Sequence, residues 1–282
     1  MTSLNLQEQI AAQAEEMDGT RIIRRQRVHD LARQYDASIR EVELAALEEG
    51  VVPWRYVRNV GTMGVAGQST LLHSTVAVVG LGGLGGYVVE ALARAGVGRL
   101  MLIDGDRFEE HNLNRQILSS EARLGQAKAD VARRRVAEVN PAVEVIAHAE
   151  MLTRENLPTL LAGADVVVDA LDRLTTRLTL QEGAQGLGIP MVHGSIAGFL
   201  GQVMTIFPGD PGLFSLYGGL DNVPEQGLEA QVGTPAATPM AVAAWEAQEV
   251  IKVLLGLGAP LRRRLLILDM ESGAVEVLQL GE

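Results

Sequence analysis

One stretch of the chain constrains its fold more than any other. Residues 75–80, TVAVVG, have the pattern of a buried β-strand, and residues 84–97, LGGYVVEALARAGV, have the pattern of a helix. The junction between them carries Gly80, Gly82 and Gly85 at the spacing GxGxxG. Glycines at this spacing allow a tight turn, let the backbone approach a phosphate and let the helix pack closely on the strand. The stretch therefore predicts a nucleotide-binding fold.

Buried strands and helices alternate after this loop. Four apolar runs, separated by helical patterns, are read as further strands: RLMLID, VEVIAH, ADVVVDA and IPMVHGS. One of the intervening helices is expected over residues 119–140, with Ser120 as its N-cap. Near-continuous apolar strands between helices indicate a parallel sheet covered on both faces. GQVMTIF follows with no helix before it, and two apolar runs form a terminal hairpin. We therefore expect an α/β, Rossmann-like, doubly wound and mostly parallel sheet that antiparallel strands extend.

The first fifty residues differ from the rest. They are polar, nearly free of glycine and helical in pattern, with Ser38 as the N-cap of the second of two short helices and Gly50 at its end. Two helices with a tight turn are typical of a helix-turn-helix, or of an amphipathic pair packed on the main domain or on a partner subunit. We expect a helical N-terminal extension over residues 1–50 and one nucleotide-binding domain over residues 51–282.

The composition excludes several classes of function. The chain has 282 residues, no cysteine and a formal net charge of −11. The absence of cysteine rules out disulfides, thiolate zinc sites and a cysteine nucleophile. The acidic balance makes nucleic-acid binding an unfavourable hypothesis. The N-terminus lacks the pattern of a signal peptide and no apolar run is long enough to span a membrane, so we expect a cytoplasmic protein with no membrane partner.

A polar series follows the strand RLMLID. It occupies DGDRFEEHNLNRQIL and contains Asp104, Asp106, Asn112, Arg115 and Gln116. An acid at the position of Asp104 accepts hydrogen bonds from ribose hydroxyls. Hydride transfer does not require an arginine just beyond that acid, whereas phosphoryl chemistry does, because it brings anions together.

The polar series is joined by two further motifs, GQAK, which ends at Lys128, and DALDR, which contains Asp172. As a set, the three motifs resemble those of the E1-like adenylating enzymes, the ThiF–MoeB–HesA family, whose bacterial branch includes the activators of molybdopterin and thiamine sulfur carriers. The resemblance runs from about Trp54 to the end of the chain. It implies an ATP-dependent adenylyltransferase that activates the C-terminal carboxylate of a small ubiquitin-like sulfur-carrier protein ending in Gly-Gly.

The resemblance also implies a role for each catalytic residue. Arg115 and Lys128 would neutralise phosphate oxygens, Asn112 would donate to the same group, and Asp172 would hold Mg²⁺. Arg58, in the segment WRYVRN, would reach the ATP phosphates of a partner subunit, so that a homodimer would be required for catalysis. The nucleotide-binding set that the motifs predict is Gly80, Gly82, Gly83, Gly85, Asp104, Asp106, Asn112, Arg115, Gln116 and Lys128.

The chain departs from this family where many relatives carry cysteine. Two CxxC pairs that hold zinc in relatives are absent, so no structural zinc is expected, and apolar packing of Leu213, Phe214 and Leu216 is expected in its place. The long Gly/Pro-rich loop predicted over residues 208–236 has no cysteine to take an acyl group as a thioester. We therefore expect the reaction on this chain to stop at the acyl-adenylate.

Three alternatives remain open from the sequence. The activated carboxylate could instead belong to a peptide or another non-protein acid, or be borne by a tRNA, which the acidic charge disfavours. An NAD-dependent oxidoreductase explains the glycines and Asp104 but gives no role to Arg115, Lys128 or Asp172. A nucleotide-binding or partner-docking module that has lost catalysis, with residues 1–50 as its arm, would not be expected to keep those three side chains.

Overall fold

A small N-terminal unit, which we define as residues 5–53, precedes the main sheet in this computed structural model, which describes residues 5–218 and 232–280. Its elements are α1 (Leu6–Gln13), β1 (Glu15–Met17), β2 (Thr20–Ile23), α2 (Arg25–Gln34), α3 (Ile39–Glu48) and β3 (Val52–Pro53). The three strands form a sheet in the order β1-β2-β3. Apolar side chains from all three helices, among them Ile10, Leu31 and Val42, form a separate core under it.

The prediction of a wholly helical extension missed the hairpin β1–β2. Met17 pairs with Thr20, so Asp18 and Gly19 form a two-residue turn, and both have positive φ angles, +51° and +75°. This is the backbone of a type I′ turn, which favours Asp-Gly. The predicted helix ends were confirmed: the Ser38 side chain accepts a hydrogen bond from the Glu41 N–H in a capping box, and Gly50 has φ +67°.

A 3₁₀ turn, Trp54–Tyr56, connects the N-terminal unit to the main part of the chain. The remaining helices are α4 (Val57–His73), α5 (Gly85–Ala95), α6 (Lys128–Val139), α7 (Leu157–Leu160), α8 (Leu174–Gly186), α9 (Phe214–Tyr217) and α10 (Ala237–Leu255). Helix α4 consists of two helical stretches joined by a kink at Gly64, which has φ +71° and ψ 174°.

An eight-stranded sheet forms the centre of the molecule. Its strands are β4 (Thr75–Val79), β5 (Arg99–Ile103), β6 (Glu144–His148), β7 (Val166–Asp169), β8 (Met191–Ala197), β9 (Leu200–Ile206), β10 (Arg264–Asp269) and β11 (Ala274–Gln279). Their spatial order is β11-β10-β9-β8-β7-β4-β5-β6. Strands β4 to β8 pair in parallel, while β9, β10 and β11 are added antiparallel. The predicted fold class, a mostly parallel sheet extended by antiparallel strands, is confirmed.

Both faces of the sheet are covered, and β4 shows how the sequence achieves this. Val76 and Val78 point into the core on one side, with α5 and α10, whereas Ala77 and Val79 point into the core on the other, with α7 and α8. Successive residues of a strand face opposite sides, so a strand buried on both sides must be apolar throughout. Since β4 lies between β7 and β5, the glycine loop that follows it begins at an interior strand of the sheet.

The long helix predicted over residues 119–140 was wrong in its first turns. Helix α6 begins only at Lys128, and Ser120 makes no capping hydrogen bond with its side chain. Gly125 has φ +77°, outside the range of a right-handed helix, and its N–H donates to the carbonyl of Phe108 at 2.8 Å. The backbone here pairs with residues 106–108 instead of continuing the helix, and this pairing brings Lys128 to Asp106.

The predicted loop over residues 208–236 is described at its two ends, and its middle, residues 219–231, lies outside the described residues. At its start, Leu213 is fully buried and Phe214 and Leu216 pack against the same core, which is the apolar packing expected there. None of the helices in the described ranges is both long and apolar enough to cross a membrane.

Candidate active site

Two glycines of the loop are required by close packing. Gly80 turns the chain at the end of β4 with φ +90°, and a Cβ there would lie 2.5 Å from the carbonyl oxygen of Ala170. A Cβ at Gly85 would lie 1.8 Å from the carbonyl oxygen of Gly80, so the first turn of α5 can approach the strand only with glycine at this position. These are the packing roles that the GxGxxG spacing predicted.

The middle of the loop has room above it and faces two of the predicted polar residues. A Cβ at Gly82 would lie 3.5 Å from Nε2 of Gln116, and one at Gly83 would lie 3.7 Å from Cγ of Arg115. Both distances are ordinary van der Waals contacts, so glycine is not needed here for packing. A backbone left bare at the start of a helix suits the close approach of a phosphate.

Asp104 connects the glycine loop to the segment that follows β5. Its Oδ2 accepts a hydrogen bond from the N–H of Leu81 at 2.7 Å, and its Oδ1 accepts one from the N–H of Asp106 at 2.8 Å. Burial raises the pKa of Asp104, while the charge of Lys128 lowers it in part. A carboxylate oxygen can accept more than one hydrogen bond, so Asp104 can still bind a ribose hydroxyl.

Lys128 is buried at the first position of α6, with 6% of its surface exposed. Its Nζ donates to Oδ2 of Asp106 at 2.9 Å, and its backbone N–H donates to the Asp106 carbonyl at 3.0 Å. The Asp106 side chain is 59% exposed. The ammonium is therefore held in a fixed place, with one carboxylate partner that faces solvent.

The turn that carries the NLNRQ motif is built around Asn112. Its Oδ1 accepts a hydrogen bond from the N–H of Glu109 at 2.9 Å, and its carbonyl accepts from the N–H of Gln116 at 3.0 Å. Asn112 and Gln116 are 4% and 6% exposed. Oε1 of Gln116 is buried and accepts no hydrogen bond from any described residue. Nε2 of Gln116 is the end of the amide that faces Gly82, so this side chain can donate to a group bound over the loop.

Arg115 lies on the same turn, near enough to Asp172 to feel its charge. Its Nη1 donates to the carbonyl of His111 at 2.9 Å and to Oδ1 of Asn114 at 2.8 Å. Burial lowers the pKa of Arg115, and the nearby charge of Asp172 raises it in part. Asp172 is exposed, three residues beyond the last residue of β7. The structure therefore brings Arg115, Asp172 and the glycine loop to the same edge of the parallel sheet.

Arg58 is placed apart from these residues within the chain. It lies in the first turn of α4, its side chain is exposed, and it makes no hydrogen bond or ion pair with the described residues. The residues on either side are anchored, since Tyr56 is fully buried and Asn59 donates to Oε1 of Gln68 at 2.9 Å. These contacts do not place Arg58 near the site of its own subunit. The contact of Arg58 with ATP in a partner subunit stays a prediction.

Comparison with known proteins places this arrangement in a family. The sequence profile of the ThiF family matches residues 56–282. The chain belongs to the ThiF family. The resemblance drawn from the three motifs is thereby confirmed, and the matched range includes every predicted site residue from Arg58 to Asp172.

Curated relatives of this ThiF-family chain are named for adenylation. It is 38% identical over 220 residues to the SAMP-activating enzyme E1 of Haloferax volcanii, covering 76% of this chain and 80% of that protein. It is 39% identical over 215 residues to the sulfur carrier protein adenylyltransferase of Thermus thermophilus, covering 73% and 79%. It is 40% identical over 222 residues to the adenylyltransferase and sulfurtransferase MOCS3 of Drosophila yakuba, covering 78% of this chain. The chain spans 49% of that relative's length.

Solved structures share the fold of this ThiF-family chain at lower identity. E. coli MccB in complex with MccA-N7isoASN superimposes with a TM-score of 0.71 at 22% identity, covering 81% of this chain and 72% of that one. PaaA superimposes with a TM-score of 0.67 at 23% identity, covering 81% and 73%. E. coli MccB has also been crystallised with ATP, at a TM-score of 0.68 and 23% identity, with coverages of 81% and 71%.

Sequence reasoning missed a buried network beneath the site of this ThiF-family chain. Asp169, at the end of β7, accepts from Nδ1 of His193 at 2.7 Å and lies 3.4 Å from Nη1 of Arg177. Arg177 also donates to the carbonyl of Leu171, next to Asp172. The other ring nitrogen of His193, Nε2, is buried without a hydrogen bond to the described residues. Asp169 is the first residue of the DALDR motif, but the motif did not indicate that Arg177 on α8 and His193 on β8 would contact it.

The far end of the predicted long loop also contacts the site. The Nδ2 of Asn114 donates to the carbonyl of Thr234 at 3.3 Å, and a Cβ at Gly83 would lie 3.5 Å from Cβ of Pro239. Residues 232–239 therefore border the edge of the site where Arg115 lies. Within the described residues, no group of three or more His, Asp or Glu side chains is arranged to hold a metal ion.

Proposed function

We propose that this chain is an ATP-dependent adenylyltransferase of the ubiquitin-like-modifier-activating type. It activates the C-terminal carboxylate of a small ubiquitin-like sulfur-carrier protein ending in Gly-Gly. The observation that carries the proposal is the position of Arg115, against the bare backbone of Gly83 and beside Asp172, with Lys128 held at the same edge of the sheet. The names of the Haloferax volcanii and Thermus thermophilus relatives support the same substrate class.

The reaction joins two anions, and the charges of the site suit that task. An oxygen of the chain-end carboxylate attacks the α-phosphorus of ATP, a new bond forms between them, and the bond to the β-phosphate oxygen breaks. Pyrophosphate leaves with the electron pair of that bond. Arg115 and Lys128 stabilise the charge that accumulates on the phosphate oxygens, and an arginine can bind two oxygens at once. The glycine loop adds backbone N–H groups at the start of α5.

The residues present fit ATP and a magnesium ion. Nε2 of Gln116, which faces Gly82, would donate to an oxygen of the nucleotide, and Asp104 would accept from a ribose hydroxyl. Magnesium is bound in such sites by one or two carboxylates together with substrate phosphates and water. Asp172 is the exposed carboxylate beside Arg115 and is the residue that would hold it. The ion would reduce repulsion between the triphosphate and the incoming carboxylate.

The product on this chain is the acyl-adenylate, because no cysteine is available to form a thioester. An external nucleophile, such as a separate sulfurtransferase or an amine, takes the acyl group from AMP. The enzyme acts as a homodimer in which Arg58 of each subunit reaches the phosphates bound by the other. The exposure of Arg58 and the absence of partners for it among the described residues support this arrangement.

The test is exchange of labelled pyrophosphate into ATP. Purified protein is incubated with MgATP and with candidate sulfur carriers ending in Gly-Gly, and each carrier is compared with a form lacking its last glycine. We expect exchange with an intact carrier and none with the shortened form. Absence of exchange with every carrier, together with stabilisation by NAD but not by ATP in a melting experiment, would overturn the proposal.

Replacing the central arginine gives a sharper result. Arg115→Ala should lower exchange by about a hundredfold or more, since it removes the cation that meets the developing charge. Arg133→Ala is the matched control, because Arg133 lies on α6 with Lys128 but, among the described residues, pairs only with Asp130, at 3.5 Å on the surface. Both variants should melt close to the wild-type temperature. Wild-type exchange in Arg115→Ala would refute the role given to Arg115.

A further inference from the structure

The segment that carries Arg58 is held from two sides. On one side, Asn140 at the end of α6 donates through Nδ2 to the hydroxyl of Tyr56 at 2.9 Å and to the carbonyl of Ala93 at 2.9 Å. Tyr56 is fully buried, so its ring cannot move without repacking the core. This side belongs to the nucleotide-binding domain that the family profile covers.

The other side of the segment is held by the N-terminal unit. Glu43 on α3 is 1% exposed, and its Oε1 lies 3.2 Å from Nε of Arg55. The guanidinium of Arg24 lies 5.1 Å from the centre of the Trp54 ring, within the range of a cation–π contact. Both contacts act on the 3₁₀ turn Trp54–Tyr56, which leads directly into the turn of α4 that carries Arg58.

Arg55 joins the two sides. While its Nε faces Glu43, its Nη1 donates to Oδ1 of Asn140, the residue that also holds Tyr56. Glu43, Arg55, Asn140 and Tyr56, from three parts of the chain, are thus connected through Arg55 and Asn140. Burial raises the pKa of Glu43 to about 7, against the opposing effects of Arg55 and Tyr56.

A buried ion pair of this kind is not explained by stability. Desolvating two charges offsets most of the attraction between them, so apolar residues of similar size usually stabilise a fold at least as well. What the pair provides is directional: a planar guanidinium with two defined partners fixes the turn in one orientation. Glu43 lies outside the part of the chain that the family profile matches, which begins at residue 56.

We propose that the N-terminal unit is a positioning element for Arg58, and that Glu43 is the residue through which it acts. Glu43 orients Arg55, and Arg55 together with Asn140 sets the direction of the turn from which Arg58 extends. The inference rests on the proposed function, because it takes Arg58 as a group that contacts ATP phosphates. Arg58 is the catalytic residue here, and Glu43 is a positioning residue that does not itself touch ATP.

The test is the affinity of the purified 282-residue chain for MgATP, measured by titration calorimetry without a carrier. Arg58→Ala should weaken binding about tenfold or more, as expected for loss of a charge-assisted contact. Glu43→Gln keeps the size of the side chain and removes its charge, and it should weaken binding about threefold to tenfold. In the Arg58→Ala background, Glu43→Gln should have no further effect, since its only route to ATP has been removed.

The matched control is Glu144→Gln. Glu144, on β6, also pairs with an arginine of the N-terminal unit, Arg40, at 3.4 Å, and with Arg99 at 2.8 Å, and its side chain is half exposed. If the N-terminal unit mattered only for stability, the effect of Glu43→Gln on MgATP binding would persist in the Arg58→Ala background. We expect Glu144→Gln to bind MgATP as the wild type does.

The outcomes separate this inference from the proposed function. No effect of Arg58→Ala on binding overturns the role of Arg58 and the inference with it. A strong effect of Arg58→Ala, combined with no effect or an additive effect of Glu43→Gln, overturns the inference alone. If Glu43→Gln does not fold, Arg55→Lys replaces it, because lysine keeps the charge but loses the second contact with Asn140. The same loss of affinity is expected, and wild-type binding would overturn the inference.

Discussion

Glu246 is the most unusual single residue of the structure. It is completely buried on α10, and neither of its carboxylate oxygens accepts a hydrogen bond from the described residues. Burial raises its pKa well above the ordinary value, the charge of Asp169 raises it further, and Arg177 opposes this in part. A Cβ at Gly194 would lie 2.3 Å from its carboxyl carbon, so β8 accepts this side chain only beside a glycine. Burial therefore favours the neutral form of this carboxyl in the folded protein.

This residue predicts a particular pH dependence of stability. The pKa of Glu246 is higher in the folded state than in the unfolded chain, so the folded state binds more protons. The contribution of Glu246 to the free energy of unfolding is therefore complete below its ordinary pKa of 4.5. The contribution declines as the pH rises above that value and through the folded pKa. Glu246→Gln cannot ionise, so its free energy of unfolding should fall less between pH 5 and pH 8.

Urea unfolding at several pH values measures the slope. Glu138→Gln serves as the control, since Glu138 is 57% exposed and its pair with Arg135 is a surface contact. That variant should keep the wild-type slope. An unchanged slope in Glu246→Gln would mean that Glu246 is not the group responsible.

Residues near the glycine loop were predictable from sequence, and the buried network was not. Asn112, Arg115 and Gln116 lie within five positions of one another, so a single turn carries them, and the motif alone located them. Asp169 and Glu246 come from β7 and α10, far apart in the chain, and only the packed fold brings them close. Their spacing therefore carried no signal.

The glycine loop has two kinds of glycine, and substitution should distinguish them. Gly85→Ala forces a methyl group against the carbonyl oxygen of Gly80, where an ideal Cβ would lie at 1.8 Å. We expect it to lower the free energy of unfolding by about 1–3 kcal/mol, because the helix must move from the strand. Gly82→Ala meets only an ordinary contact at 3.5 Å from Gln116 and should leave stability unchanged.

The affinity for MgATP should respond to Gly82→Ala, although stability does not. In Gly82→Ala the methyl group stands where a phosphate would approach the backbone, so MgATP affinity should fall although the melting temperature does not. Thermal melts with and without MgATP measure both quantities in one experiment. If Gly82→Ala bound MgATP normally, the phosphate would have to lie elsewhere on the loop.

Strands and most helices followed from apolar periodicity, and the errors came from backbone pairing that this periodicity does not reveal. The turn Asp18-Gly19 is a strong hairpin signal, but its strands are too short and too polar to show alternation. The helix expected from residue 119 was interrupted where residues 106–108 pair with the backbone near Gly125. That pairing is non-local, so a helical pattern in the sequence did not exclude it.

The proposed homodimer makes a prediction about mixed subunits. If Arg58 acts on the partner's site, a heterodimer of one Arg58→Ala subunit and one Arg115→Ala subunit contains one complete site: the Arg115 of the first subunit and the Arg58 of the second. Random pairing then restores about a quarter of wild-type exchange from two nearly inactive variants. Co-expression with two different affinity tags, followed by the exchange assay, measures this. No recovery would place Arg58 in its own subunit's site or outside the reaction.

The contact between the N-terminal unit and the main sheet has a practical consequence for anyone who shortens this chain. Leu47 of α3 packs on Leu72 and Ala142, and Arg40 donates to the carbonyl of Leu72 at 3.0 Å. A shortened protein that started at residue 51 would expose this apolar surface and remove the hydrogen-bond donor of the Leu72 carbonyl. We expect such a protein to aggregate during purification. Loss of activity in the shortened protein could then result from aggregation, and would not show that the first fifty residues contribute to catalysis.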